Sequence, residues 1–134
     1  MEPQPTEPTA SGAGRKVLVV EDEHFISELY VRALTRAGYD VTVEFDGQRG
    51  EDQAKTDQFD IILLDIMVPT ITGLEVLRHL RSPGAKPLKA KIIITTNLEQ
   101  REETRADIES KADAYLVKAE ITPRELVAFL DTIK

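Results

Sequence analysis

The chain has 134 residues, 41% of them hydrophobic, a net charge of −7 and a pI near 4.9. That is enough for one domain with a sizeable core, and the acidic balance disfavours nucleic acid and anionic membranes as partners. With no cysteine, disulfides, thiolate metal sites and cysteine nucleophiles are excluded. No apolar run nears the roughly 18 residues of a membrane span, and no secretory signal is visible, so a cytoplasmic location is expected.

Residues 1–14 carry Pro3, Pro5 and Pro8 among small and polar residues. Such a segment buries too little to offset its ordering entropy and reads as a flexible tail, leaving residues 15–134 as the domain. Lys16 to Val20 is a β-branched strand ending in Glu21, Asp22 and Glu23. Ile26, Leu29, Tyr30, Ala33, Leu34 and Ala37 then recur at helical spacing until Gly38 stops the helix. Tyr39 to Phe45 alternates as a second strand, and a weak polar helix follows over Gln48 to Lys55. Ile61 to Leu64 is the most apolar run and suits a strand buried on both faces; Asp65 ends it, and Pro69 and Gly73 mark a loop. A helix from about Thr72 to Leu80 turns Leu74, Leu77 and Leu80 inward.

After a basic loop, Ser82 to Lys89, Ile92 to Thr95 forms a fourth strand ending at Thr96 and Asn97. The helix from about Glu99 to Glu109 is mostly charged, anchored only by Leu98, Ala106 and Ile108. Ala114 to Val117 is a fifth strand leading into Lys118. Thr122, Pro123 and Glu125 form a capping box with proline at the first helical position, and Leu126, Phe129, Leu130 and Ile133 give this last helix a core face. Five successive βα units predict an α/β, flavodoxin-like, doubly wound domain with a five-stranded parallel sheet in the order 2-1-3-4-5.

Parallel strands bring their carboxyl ends to one edge, where ligands bind in such sheets. Glu21 and Asp22 follow the first strand, Asp65 the third, Thr96 the fourth and Lys118 the fifth. Three gathered carboxylates repel one another, and oxygen-only ligands favour Mg²⁺ or Mn²⁺ over softer metals. A neighbouring Lys balances the remaining charge and suits a phosphoryl oxygen, as does a Thr hydroxyl. The set reads as a site where Asp65 becomes an acyl phosphate. Singly, each residue has a plainer reading: first-turn acids at a helix dipole, a capping Thr, a solvated Lys. His24 and His79 read as surface residues of helices.

Val17 to Glu23, Asp65 with Pro69 and Gly73, Thr96, and Tyr115 to Lys118 resemble the receiver domain of bacterial response regulators, over about Lys16 to Lys134. The resemblance implies a two-component phosphorelay module in which Asp65 is the phosphoacceptor. It makes Glu21, Asp22, Asp65 and the Met67 backbone carbonyl the Mg²⁺ ligands. Thr96 would be the switch hydroxyl, Lys118 the phosphoryl-binding lysine and Tyr115 the aromatic switch. It further implies a sensor histidine kinase or phosphotransfer protein as donor, and a downstream protein target on the face of helix four, strand five and helix five. The expected state is a monomer or a phosphorylation-dependent dimer. The expected chemistry is limited to the domain's own Mg²⁺-dependent phosphorylation and dephosphorylation.

Three positions depart from the family pattern. Ala119 replaces the usual Pro; a cis peptide there would cost about 3–4 kcal/mol, so a trans bond and an altered loop are predicted. Asn97 is larger than the usual small residue, and Thr95 precedes Thr96, which leaves the register of the switch hydroxyl open. The alternative is a receiver-like interaction module that works without phosphate. A flavodoxin is disfavoured because Glu21 and Asp22 would repel FMN phosphate, and a haloacid dehalogenase-type phosphatase because Met67 stands where its second Asp belongs.

Overall fold

A computed structural model describes residues 12–97 and 102–133. The elements alternate strictly: β1 (Lys16–Val20), α1 (His24–Arg36), β2 (Asp40–Glu44), α2 (Gly47–Ala54), β3 (Ile61–Asp65), α3 (Gly73–Leu80), β4 (Lys91–Thr96), α4 (Glu102–Lys111), β5 (Ala114–Val117) and α5 (Pro123–Asp131). The strands form one parallel sheet in the order β2-β1-β3-β4-β5, as the βα repeat predicts. β3 is central and wholly buried, whereas edge strands β2 and β5 are only partly covered.

Alternation along the strands divides the core. Leu18, Val20, Ile62, Leu64, Ile92 and Ile94 pack towards α2, α3 and α4, while Val17, Val19, Ile61, Leu63 and Ile93 pack towards α1 and α5. Burying each large aliphatic side chain contributes roughly 1.5–3 kcal/mol, which is why the unbroken run in β3 takes the middle position.

Helix boundaries follow the local signals. Gly38 takes φ +97° and ends α1. Thr72 and Thr122 each accept from the backbone N–H three residues on, and Glu75 and Glu125 reciprocate, so both capping boxes form. Gly73 is required by proximity: a Cβ there would lie 2.2 Å from the Asp65 carbonyl oxygen, so its absence lets α3 begin against the end of β3.

Some expectations are corrected. Residues 12–14, assigned by composition to the tail, dock on the body: the Gly12 and Gly14 N–H groups donate to the Ala37 and Gly38 carbonyls, both at 2.8 Å. Residues 1–11 lie outside the described residues. The fourth helix is described over Glu102–Lys111, two residues past the expected end at Glu109. Its expected start near Glu99 and Leu98 lie outside the described residues, and Ala106 is exposed, so of the three expected anchors only Ile108 is seen buried. Charge holds α4 as well. Arg78 of α3 donates through two nitrogens to Asp107 (3.0 and 2.8 Å), and Arg81 donates to the Lys111 carbonyl at 2.9 Å. In α3, Val76 is buried and Leu74 only partly so, because the buried stripe runs at helical spacing through Gly73, Val76, Leu77 and Leu80 and leaves Leu74 at its margin.

Candidate phosphoacceptor site

Asp65 is the last residue of β3 and is 2% exposed; Glu21 follows β1 and is 1% exposed. Glu21 and Asp22 precede α1, whose first turn holds no acid, so they are not dipole-stabilising residues of that turn. One carboxylate oxygen from each of Glu21, Asp22 and Asp65 lies within 4.8 Å of the others. Lys118, directly after β5, reaches into this group. Its Nζ donates to Glu21 Oε1 at 2.7 Å and to Asp65 Oδ2 at 3.2 Å, and lies 3.7 Å from Glu23 Oε1. The remaining oxygens are engaged by backbone: Glu23 N–H donates to Glu21 Oε2 (3.1 Å) and Met67 N–H to Asp65 Oδ1 (3.1 Å).

The electrostatics follow from crowding charges in a dry place. Burial pushes the Glu21 carboxyl up to about 7, Asp65's charge adds to the rise, and the Lys118 hydrogen bond opposes it. Burial alone would lower Lys118, but its bonds to Glu21 and the charge of Asp65 outweigh that and hold the ammonium above its usual value. The site therefore has a net excess of buried negative charge that a hard divalent cation would relieve, and its all-oxygen donors suit Mg²⁺ or Mn²⁺.

The other expected residues border this centre. Thr96 ends β4, 1% exposed, in register with Val117, while Thr95 pairs with Asp65. Alternation therefore sets Thr95 on the face of Asp65 and Thr96 on the face of Tyr115. Tyr115 is half-buried beneath Arg105, whose guanidinium carbon is 5.0 Å from the ring centroid. Met67 is 66% exposed at the loop rim, and Asn97 is also exposed. The Lys118–Ala119 peptide is trans, as predicted from Ala119, and Lys118–Glu120 winds into a 3-10 turn.

Reading the sequence missed two neighbours of the site and one contact away from it. Glu23 lies near the ammonium, and Tyr30 of α1 is buried behind the site. Away from it, buried Glu51 bonds His79 Nδ1 (2.7 Å) and pairs with Lys55 (2.8 Å), so His79, exposed on its helix as expected, also tethers α3 to α2. A Glu51–Lys55 spacing of four was visible; the link to His79 across helices was not.

Fold and site together define a doubly wound signalling-type domain with an acidic, lysine-bearing centre at the carboxyl edge of its sheet. The family model for the response regulator receiver domain matches residues 17–131, and the chain belongs to that family. Response regulator ArlR of Staphylococcus aureus (strain Mu50) is 38% identical over 103 residues, which is 77% of this chain and 45% of that protein. The chain thus spans less than half the length of such curated relatives. Among solved structures, the Francisella response regulator 1452 receiver domain superposes with TM-score 0.78 at 28% identity, covering 90% of this chain and 96% of that one. Vibrio cholerae chemotaxis protein CheY4 gives 0.77 at 28% identity, over 91% and 100%. The BeF3-activated receiver domain of Klebsiella pneumoniae RstA gives 0.74 at 30%, over 89% and 97%. Among the described residues, no helix is long and apolar enough to cross a membrane.

Proposed function

We propose that Asp65 accepts a phosphoryl group from a phosphohistidine on a sensor histidine kinase or phosphotransfer protein. The observation that carries this reading is the Lys118 ammonium bridging Asp65 and Glu21 beside a third carboxylate, Asp22. An Asp65 oxygen attacks phosphorus, an O–P bond forms, and the P–N bond breaks with its electron pair returning to the imidazole. The Met67 N–H holds Asp65 Oδ1, so the carboxylate is oriented before attack. Lys118 offsets charge on the arriving phosphoryl oxygens. Glu21, Asp22 and Asp65, with the Met67 backbone carbonyl added by family resemblance, would hold Mg²⁺, which when bound supplies further charge neutralisation.

Readout passes from Thr96 to Tyr115, which share a sheet face, and on to α4, which buries few apolar groups. The partner on the α4–β5–α5 face is a protein rather than nucleic acid, given the net charge of −7, and the setting is cytoplasmic. A phosphate-independent binding module is the competing reading, favoured by one feature: Lys118 already neutralises part of the cluster without a metal. Intact-protein mass spectrometry after acetyl phosphate treatment separates them. The phosphate reading expects one adduct that needs Mg²⁺ and is absent in Asp65→Asn; a chain that never labels would favour the module.

A further inference from the structure

All four oxygens of Glu21 and Asp65 are engaged: two by the Lys118 ammonium, one by the Glu23 N–H and one by the Met67 N–H. Each oxygen keeps a second lone pair, but a cation drawing an oxygen from each must compete with these donors. The ammonium is the partner to yield, because it repels the cation and sits on a flexible stem, whereas the amides are fixed by the chain. Yet the Lys118 side chain is 4% exposed, so an ammonium released from the carboxylates cannot simply turn to solvent. It would keep only Glu23 Oε1, at 3.7 Å beyond hydrogen-bonding distance, and a buried charge short of acceptors is costly.

Two buried hydroxyls stand on that side of the sheet. Thr95 is 3% exposed, in register with Asp65, and follows Ile93 by two on the face packed against α1 and α5. Leu116, two residues before Lys118, packs in the same cluster. Tyr30, 5% exposed, enters that cluster from α1. Burial raises its phenol above the ordinary value, Lys118 opposes the rise, and Glu21, Asp65 and Glu23 add to it, so the hydroxyl lies within electrostatic reach of the site. Among the described residues, neither hydroxyl has a hydrogen-bond partner, and a buried polar group left so calls for an explanation.

We infer that Tyr30 and Thr95 are positioning residues that accept the Lys118 ammonium when a divalent cation takes its place on Glu21 and Asp65. The hydroxyls make the exchange of one buried cation for another possible without stranding either. This rests on the metal-dependent reading above, which the experiment keeps separate. Mg²⁺ is titrated calorimetrically into the full chain, Tyr30→Phe, Thr95→Val and Thr95→Ser, and metal-free melting is followed alongside. Tyr30→Phe and Thr95→Val should each weaken Mg²⁺ binding about tenfold, the order of one hydrogen bond to a charged group, while melting no lower than the parent. Thr95→Ser, which keeps the hydroxyl, should restore affinity. Affinities within about twofold of the parent for both variants, or losses matched by lower metal-free stability, overturn the inference while leaving the receiver reading intact. A parent chain that binds no Mg²⁺ overturns both.

Discussion

Replacing Lys118 by Met tests how the centre is balanced. The substitution keeps the apolar stem and deletes an ammonium lying 2.7 Å from Glu21 and 3.2 Å from Asp65, whose side chains are 2% and 3% exposed. Removing one partner of a buried ion pair costs about 3–5 kcal/mol, because the other charge is left uncompensated. Part of that is recovered here: Glu21 already sits at about 7 through burial and loses the hydrogen bond that opposed the rise, so it takes up a proton near neutrality. The low end, about 3 kcal/mol, is expected, or roughly 12 °C in Tm at about 4 °C per kcal/mol for a chain of this size. Mg²⁺ binding only to the folded state should return about 2.7 kcal/mol at a hundredfold excess over its Kd. Far-UV circular dichroism melts with and without MgCl2 provide the assay. A metal-free Tm within about 3 °C of the parent, or a Mg²⁺ shift seen in the parent and absent in Lys118→Met, would refute the reasoning.

Two further outcomes follow from the same geometry. Glu21 must ionise to ligate Mg²⁺, so affinity should rise by about tenfold between pH 6 and pH 8 and level off above that, and a pH-independent Kd would sink the assignment. The sign for the metal-free fold is opposite: its Glu21 pKa lies above the unfolded value of 4.5, so this group's contribution to stability falls as pH rises from there through about 7. Separately, Thr70 holds φ +77° in the loop after β3, a conformation costly to a β-branched residue. Thr70→Asn should gain about 1 kcal/mol in urea denaturation; a loss of stability would mean that the Thr side chain offsets its own strain.

The βα succession and the nearness of Asp65 and Lys118 were legible because they follow from short-range signals: apolar runs that stop at charged residues, and turn residues between elements. The strand order was supplied by the flavodoxin-like pattern those units fit. Burial of the first and third strands on both faces made them read as continuous Val, Ile and Leu, which alternation would have blurred. What escaped depends on contacts between distant elements. Nothing local says that Arg78 of α3 and Arg81, just past its end, hold α4, since exposed Arg side chains have many possible partners. Likewise, Tyr30 sits in a helical apolar stripe and reads as core; only the register of β3 with β4, and the docking of α1 on that face, bring it near Lys118. The tandem Thr95 and Thr96 were ambiguous because a one-residue slip exchanges the two sheet faces, and the Asp65–Thr95 pairing resolves which hydroxyl lies on which.

The most direct test of the account is chemical trapping of the phosphoacceptor. The chain is incubated with acetyl phosphate and Mg²⁺ and reduced with borohydride, which converts an acyl phosphate to the alcohol, and its peptides are then sequenced by mass spectrometry. Homoserine in place of Asp65, dependent on Mg²⁺ and on the phosphodonor, is the predicted result. Reduction at another carboxylate, or labelling that survives in Asp65→Asn, would contradict the assignment of Asp65.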